Sequence, residues 1–387
     1  LRKVVNTLST VKLESFSGTH YEIGFQQGKA VRELLHQTFR QISNFPELKS
    51  AKPRLIPISL FLSLAKRQAI KKLKNDIPAY YPKQAERMKG IAEGADVDLS
   101  WIFFAQAMEL LVDFGASMVR VPACTSLGFT PKRTTTNETI IGKNFDFPNH
   151  FLPLNLTFQA KPKEGYQTLG CTMAPLPGII DGMNEYGLIV THNSAFTTEK
   201  PTYFAPNSIA IQEMLETCKN TQEAIEFMTK AKHAGNALLI LGDAKGDIRS
   251  VEMSHNHAAT RKSIKGQFIN TNHYHTEEMQ KYEIPRNAVF TEKIGKEWAG
   301  KRFHESSEER LKRAQEMLSS SDKIKESIII SVLRDHGKEN HPSNFTVCQH
   351  GEYTSTLRSV IFYPNRKTMK VLYGTPCQNE YVGFSFS

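Results

Sequence analysis

Pro122-Ala123-Cys124-Thr125-Ser126-Leu127-Gly128-Phe129 is followed, after a polar turn, by Ile141-Gly142-Lys143-Asn144-Phe145-Asp146-Phe147. A small residue, a cysteine, a short strand, a turn and a second strand ending in Asn-x-Asp make a specific layout. On its own, a cysteine in such a run is a small core hydrophobe. No papain-like signature surrounds Cys124. The surrounding chain has to decide what the thiol is for.

Downstream, from Cys124 to about Phe196, short apolar runs alternate with turn residues. Thr139-Ile140-Ile141-Gly142, Leu154 to Phe158, Gly178-Ile179-Ile180 and Leu188-Ile189-Val190 have strand length. Asn184-Glu185-Tyr186-Gly187 reads as a hairpin turn, because asparagine and glycine tolerate positive φ. Further on, 208–217 and 221–231 suggest paired helices. Residues 237–241 and 248–253 suggest a hairpin, 306–318 a helix, and 359–363 with 369–373 a return to strands. Ser306 and Glu309 have capping-box spacing. Upstream, Val11 to Phe16 alternates as a strand, with Thr19 placed to cap a helix. Ile23, Phe25, Val31, Leu34 and Leu35 suit one helix face. More helices are expected over 60–73, 81–95 and 101–112. Strands interleaved with helix pairs predict an α+β protein with sheets covered by helices. No internal repeat is present.

The chain has 387 residues, 40% of them hydrophobic and 23% charged, as in a globular protein with a large core. Its net charge of +10 is scattered in short pieces such as Lys66-Arg67 and Lys71-Lys72. A nucleic-acid footprint needs a basic patch, so no nucleic-acid partner is expected. No apolar run approaches a membrane span. Five cysteines, widely spaced and without a CxxC pair, suggest neither a disulfide framework nor a zinc site. A reducing compartment, the cytoplasm, is the expectation.

Several segments together resemble the acyl-coenzyme A:6-aminopenicillanic acid acyltransferase family, and more distantly the choloylglycine and penicillin V hydrolases. They are Gly18-Thr19-His20-Tyr21-Glu22-Ile23-Gly24, Gln26-Gln27-Gly28, Cys124-Thr125, Gly142 to Asp146, Gly182 to Leu188, Asn270-Thr271-Asn272-His273 and Ser307-Glu308-Glu309-Arg310. The resemblance implies a four-layer αββα sandwich of N-terminal-nucleophile type. It implies self-cleavage between Ala123 and Cys124, giving a mainly helical leading segment, 1–123, and a catalytic segment, 124–387, in one compact unit. The leading fragment is expected to stay bound, since its helices have apolar faces that need a partner.

The chemistry of such a cut is direct. Only a thiolate attacks efficiently. An α-amine titrates at about 8. Once freed, it sits within reach of its own thiol and acts as its base, so no histidine is needed. By the resemblance, Asp146 holds the ammonium or thiol of Cys124. Asn272 stabilises the oxyanion through its side-chain N–H, and Asn193 is a second asparagine at the pocket. Arg310 and Ser307 share a helix face near the site, Ser307 serving substrate orientation or processing. Lys143 stands where the bile-salt and penicillin V hydrolases carry arginine. A lysine cannot make the planar bidentate contact, so those substrates are not carried over.

His255-x-His257 and His273-x-His275 alternate as strand ligands would, but nothing completes a set of three or four. No metal and no cofactor are expected. The expected activity is hydrolysis of a small N-acyl amide through an acyl-thioester. The alternatives are acyl transfer to an amine from a coenzyme A thioester or an amide, and a non-catalytic binding protein of the same fold.

Overall fold

The computed structural model describes residues 11–114, 123–200, 202–203, 205–291 and 298–387. Parts of the leading segment, 1–10 and 115–122, lie outside the described residues, as does Pro122 of the opening stretch. The strands, in chain order, are β1 (Leu13–Gly18), β2 (Ala123–Phe129), β3 (Ile140–Pro148), β4 (Asn155–Pro162) and β5 (Thr168–Met173). There follow β6 (Asp181–Asn184), β7 (Ile189–Ser194), β8 (Ala237–Gly242), β9 (Ile248–Met253) and β10 (Ala258–Lys262). The last are β11 (Gln267–Asn270), β12 (Thr354–Tyr363), β13 (Thr368–Tyr373) and β14 (Val382–Ser385). The helices before β2 are α1 (His20–Ala30), α2 (Arg32–Gln41), α3 (Pro46–Ala51), α4 (Ile58–Tyr80), α5 (Pro82–Ala95) and α6 (Leu99–Phe114). After it come α7 (Asn207–Thr217), α8 (Thr221–Lys230), α9 (Glu277–Gln280), α10 (Glu305–Ser319) and α11 (Glu326–Leu333).

Two sheets form. One has eight strands in the order β1-β4-β5-β6-β7-β8-β9-β10, and the other six in the order β11-β2-β3-β12-β13-β14. All pairings are antiparallel except β1 with β4. The period of two along each strand explains the layering. On the six-stranded sheet, Ile141, Val360 and Phe362 pack against Leu169, Met183 and Ile240 of the other sheet. Their neighbours Ile140, Ile361 and Tyr363 pack outward on Leu318, Ile329 and Leu333 of α10 and α11. The outer face of the eight-stranded sheet is covered by α1, α5, α7 and α8, as Ile23, Ile91, Ile211 and Met228 join Phe158 and Leu239. The result is the four-layer αββα sandwich, helix–sheet–sheet–helix.

Most elements lie where expected, and three differ. The run Gly178-Ile179-Ile180 precedes its strand, which starts at Asp181; the two isoleucines are core residues of the turn before it. Ser306 does not cap its helix: α10 starts at Glu305 without a side-chain cap, because the Ser306 hydroxyl donates to the Asn344 carbonyl instead. The first helix ends at Ala30, and a second starts at Arg32. Thr19 does cap the first, in a reciprocal box with Glu22.

The buried stripe of α1 is His20, Ile23, Gly24, Gln27 and Gly28, with Phe25 outside it. Glycine stands there because α1 and α5 cross at backbone distance. A Cβ at Gly24 would sit 2.1 Å from the Arg87 carbonyl oxygen, and one at Gly90 2.1 Å from that of Tyr21. Gly90→Leu is expected to force the helices apart and destabilise the protein by about 3 kcal/mol, the upper range for overpacking. Urea unfolding measures this, and an unchanged midpoint would rule out the crossing as described.

Candidate active site

Cys124 lies in β2, the strand next to the edge strand β11 of the six-stranded sheet, and is 2% exposed. In the antiparallel ladder Cys124 faces Phe145 and Ala123 faces Asp146. Residues directly opposite project to the same side. Cys124, Ser126, Lys143 and Phe145 therefore point between the sheets, while Ala123, Thr125, Asn144 and Asp146 point toward the outer helices. The bonds agree: Ser126 Oγ donates to Asn193 on β7 of the other sheet, and Asn144 Nδ2 donates to the Leu333 carbonyl of α11 at 2.8 Å.

Two side chains from elsewhere in the fold close on the main chain of Cys124. Its backbone N–H donates to Asn272 Oδ1 at 2.9 Å. Arg310, brought in on α10 and 1% exposed, donates from Nη1 to the Cys124 carbonyl at 2.5 Å and to Thr125 Oγ1 at 3.0 Å. Its Nη2 donates to Asn272 Oδ1 at 2.8 Å. Asn272 is fixed in turn, its Nδ2 donating to the Ser194 carbonyl at 2.8 Å and its N–H to Ser307 Oγ at 2.7 Å. Ser307 Oγ donates to Thr271 Oγ1 at 2.9 Å, with His273 Nδ1 at 2.7 Å. Burial lowers His273 to about 4, so this imidazole is neutral near pH 7.

In the uncut chain the expected site residues are placed as follows. Asn272 presents its side-chain oxygen to Cys124, and its side-chain N–H goes to the Ser194 carbonyl, so in the continuous chain it accepts from the nitrogen at the expected cleavage point. Asn193 spends its side-chain donors on the Asn270 and Thr271 carbonyls, at 3.0 and 2.9 Å, and ties the two sheets together. Asp146 meets the thiol through its backbone N–H, while the pleat turns its carboxylate to the opposite face. Its carboxylate accepts from Thr356 Oγ1 at 2.6 Å, and its Oδ2 is buried without a partner. Burial pushes this carboxyl up to about 7, opposed by Arg310, Thr356 and Lys143.

Lys143 is wholly buried and belongs to an ion cluster that local sequence did not reveal. Its Nζ donates to Asp181 Oδ1 at 2.6 Å and to the His192 carbonyl. Arg358, also wholly buried, donates to Asp181 Oδ2 at 3.0 Å. These two cations hold Asp181 below the usual carboxylate range despite its burial. The cluster lies under Phe145, with Lys143 Nζ 5.5 Å and the Arg358 guanidinium 4.7 Å from the ring centre. The only hint of it in the sequence was Asp181 standing beside the Gly182–Leu188 motif. Burial raises the Cys124 thiol; Lys143 and the backbone N–H of Asp146 oppose this. In the uncut chain the thiol is thus protonated near neutral pH.

The fold is a double-sheet sandwich between helices, with Ala123 and Cys124 at the head of β2. Residues 133–378 match the family described as "Acyl-coenzyme A:6-aminopenicillanic acid acyl-transferase", and the chain belongs to that family. The matched span starts after Cys124. Solved structures similar to this chain include a Caenorhabditis elegans N-acylethanolamine-hydrolyzing acid amidase ortholog, at 15% identity and a TM-score of 0.44, covering 62% of this chain and 93% of that one. A mutant conjugated bile acid hydrolase from Clostridium perfringens matches at 13% identity and a TM-score of 0.41, over 68% and 97% of the two chains. Penicillin V acylase from Agrobacterium tumefaciens matches at 14% and 0.40, over 65% and 83%.

Proposed function

We propose that this chain is the precursor of an N-terminal-cysteine amidohydrolase, which cuts itself at Ala123–Cys124 and then hydrolyses a small N-acyl amide through an acyl-thioester. The observation that carries the reading is the convergence of Asn272 and Arg310 on the nitrogen and carbonyl of Cys124. Two buried polar side chains from outside the hairpin thus meet the main chain at the expected cleavage point, where the neighbouring strand β11 has ended.

In the first stage the Cys124 sulfur adds to the Ala123 carbonyl, and the C–N bond breaks as the nitrogen takes up a proton. Water then hydrolyses the thioester, leaving Ala123 as a carboxylate. A void of about 10 Å3 bordered by Ala123, Asn272, Ser307 and Arg310 has room for about one water. Cleavage divides the chain into 123 and 264 residues. The pieces stay together because Leu35, Leu73 and Ile91 of the leading segment share one core with Phe158 and Val190 of the trailing one.

In the second stage the freed α-amine serves as base for its own thiol, retained by Asn272 Oδ1 and by the Asp146 carboxylate. Arg310 keeps Asn272 and the Cys124 carbonyl in place. Lys143, already engaged by Asp181, acts on the thiol electrostatically and does not reach for substrate. The acyl group enters an apolar cavity of about 130 Å3 whose walls include Phe39, Phe104, Phe145, Phe147 and Ile180. Phe145 is the cross-strand partner of Cys124. The cavity takes walls from both segments, so the leading fragment helps choose the substrate, a small molecule with an apolar acyl group. Transfer of the acyl group to an amine is the second reading, favoured by the family's description.

Among the described residues no helix is long and apolar enough to cross a membrane. All five cysteines are free, which suits a reducing compartment such as the cytoplasm. The activity is tested by brief incubation with a panel of N-acyl amines and N-acyl amino acids, with and without an amine acceptor. The expected result is acid release and a transient acyl adduct on the fragment that begins at Cys124. An adduct on any other residue, or no turnover across the panel, would overturn the proposal.

A further inference from the structure

Beyond the cysteine site, four side chains of metal-ligand type meet at one point. His336, Cys348, His350 and Cys377 each place a ligand atom so that all four lie within 4.8 Å of one another. The Cys348 and Cys377 sulfurs stand 3.4 and 3.2 Å from the same His350 Nε2. The His336 and His350 rings are 5.0 Å apart at 82°, and the His336 Nε2 is buried without a partner. Two thiols and two imidazoles are the donor set of a closed structural zinc site, with metal–sulfur bonds of about 2.3 Å and metal–nitrogen bonds of about 2.0–2.1 Å. Tetrahedral geometry with those lengths places sulfur and nitrogen about 3.6 Å apart. The observed separations are within a few tenths of an ångström of that edge.

We propose that these four residues bind one zinc ion, which staples the segment after β13 to the loop between α11 and β12. Each ligand is already held by its own chain. Asp335, next to His336, is gripped by Arg313 through bonds of 3.0 and 2.7 Å, and its carbonyl accepts from the Cys348 N–H at 3.0 Å. The His350 N–H donates to the Ser343 carbonyl at 3.2 Å. Just before Cys377, the Gly374 N–H donates to the Leu357 carbonyl of β12 at 2.8 Å. The ligands are thus largely preformed, and a metal would bind with little reordering.

The site also reaches the cysteine centre. Gln349 lies between two of the ligands, and its N–H donates to Thr356 Oγ1 at 3.0 Å. Thr356 Oγ1 donates in turn to Asp146. The zinc would therefore position Asp146 through Gln349 and Thr356 without touching substrate. From the sequence alone no metal is expected. Its histidine pairs, His255-x-His257 and His273-x-His275, form no group of three ligands, and among the described residues only the cluster above does.

The test measures metal on the full-length protein. Purified protein is loaded with zinc chloride, dialysed and analysed by mass spectrometry of the metal. About one zinc per chain is expected, falling below about a tenth in Cys377→Ser and in His336→Ala. Cobalt chloride, titrated into metal-stripped protein, should give the intense visible bands of a tetrahedral thiolate site, abolished by zinc. A chelator should lower Tm in the wild type and leave Cys377→Ser unmoved. Wild-type protein that keeps no zinc, or variants that keep as much as it does, would overturn the proposal. So would an intact mass showing a Cys348–Cys377 disulfide in the freshly isolated protein. The cobalt spectrum reads the wild type alone, so a variant that fails to fold does not block the test. None of these readouts depends on whether Cys124 is a nucleophile.

Discussion

Cys124→Ala is expected to leave a single chain of 387 residues, where the wild type separates on denaturation into pieces of 123 and 264 residues. The methyl group fits the site, which is buried and packed, and it keeps the backbone N–H for Asn272 and the carbonyl for Arg310. The variant should therefore fold, and lose only the sulfur. Without that atom there is nothing to add to the Ala123 carbonyl and nothing to carry the acyl group. Turnover should fall by about 10⁶-fold, the scale on which loss of a nucleophile is felt in an enzyme of covalent mechanism. Intact mass under denaturing conditions reads the first effect, and substrate turnover the second. A variant that still splits at the same bond, or a wild type that never does, would remove Cys124 from the mechanism.

Asp146→Asn is expected to part activity from stability. Burial raises the Asp146 carboxyl from its ordinary 3.8 to about 7. An unfolded chain gives up that proton first, so across this window the folded state binds the extra proton and stability falls as pH rises. The contribution is fully present below about 4 and lost above about 7. Asparagine is neutral throughout and still accepts from Thr356. The variant should melt no lower than the wild type at pH 8 and lack that pH slope. Catalysis moves the other way. The carboxylate is the form that holds the Cys124 ammonium, so wild-type kcat/KM should rise with pH as Asp146 ionises, at a pH that the ammonium brings below that of the uncut chain. The variant should lose this inflection and about 10²–10⁴-fold in rate. If Tm and activity fell together, Asp146 would be a structural residue of β3 and nothing more.

The two predictions rest on different kinds of information. Cys124 is marked by its neighbours: a small residue before it, Thr125 after it, and Asn144-Phe145-Asp146 closing the next strand. Such spacing is local, and a hairpin brings it into register whatever surrounds it. The strand runs were legible for the same reason. A period of two with β-branched residues survives in one dimension, and so does the capped start of α1. The error at Gly178-Ile179-Ile180 shows the limit: two isoleucines buried in a turn look like a strand, since burial alone has no period.

What local spacing could not show was which polar groups would be buried together. Arg310 reads as one more charge on a helix; only the packing of α10 against β2 turns it inward. Arg358 sits in a strand 177 positions from Asp181, and Lys143 shares that anion from a third strand. The four metal-type ligands are spread from 336 to 377 with no repeated spacing, so neither their number nor their order suggested a site.

The sequence by itself determined the α+β class, which follows from short-range periodicity, and its short motifs carried the family resemblance that implied the two-sheet sandwich and the candidate nucleophile. Only the tertiary structure decided that Asn272 offers oxygen rather than nitrogen to Cys124, that the Asp146 carboxylate faces away from the thiol, and that His336, Cys348, His350 and Cys377 converge. Those facts depend on which strand meets which helix, and a buried polar group takes whatever partner the folded chain delivers to it.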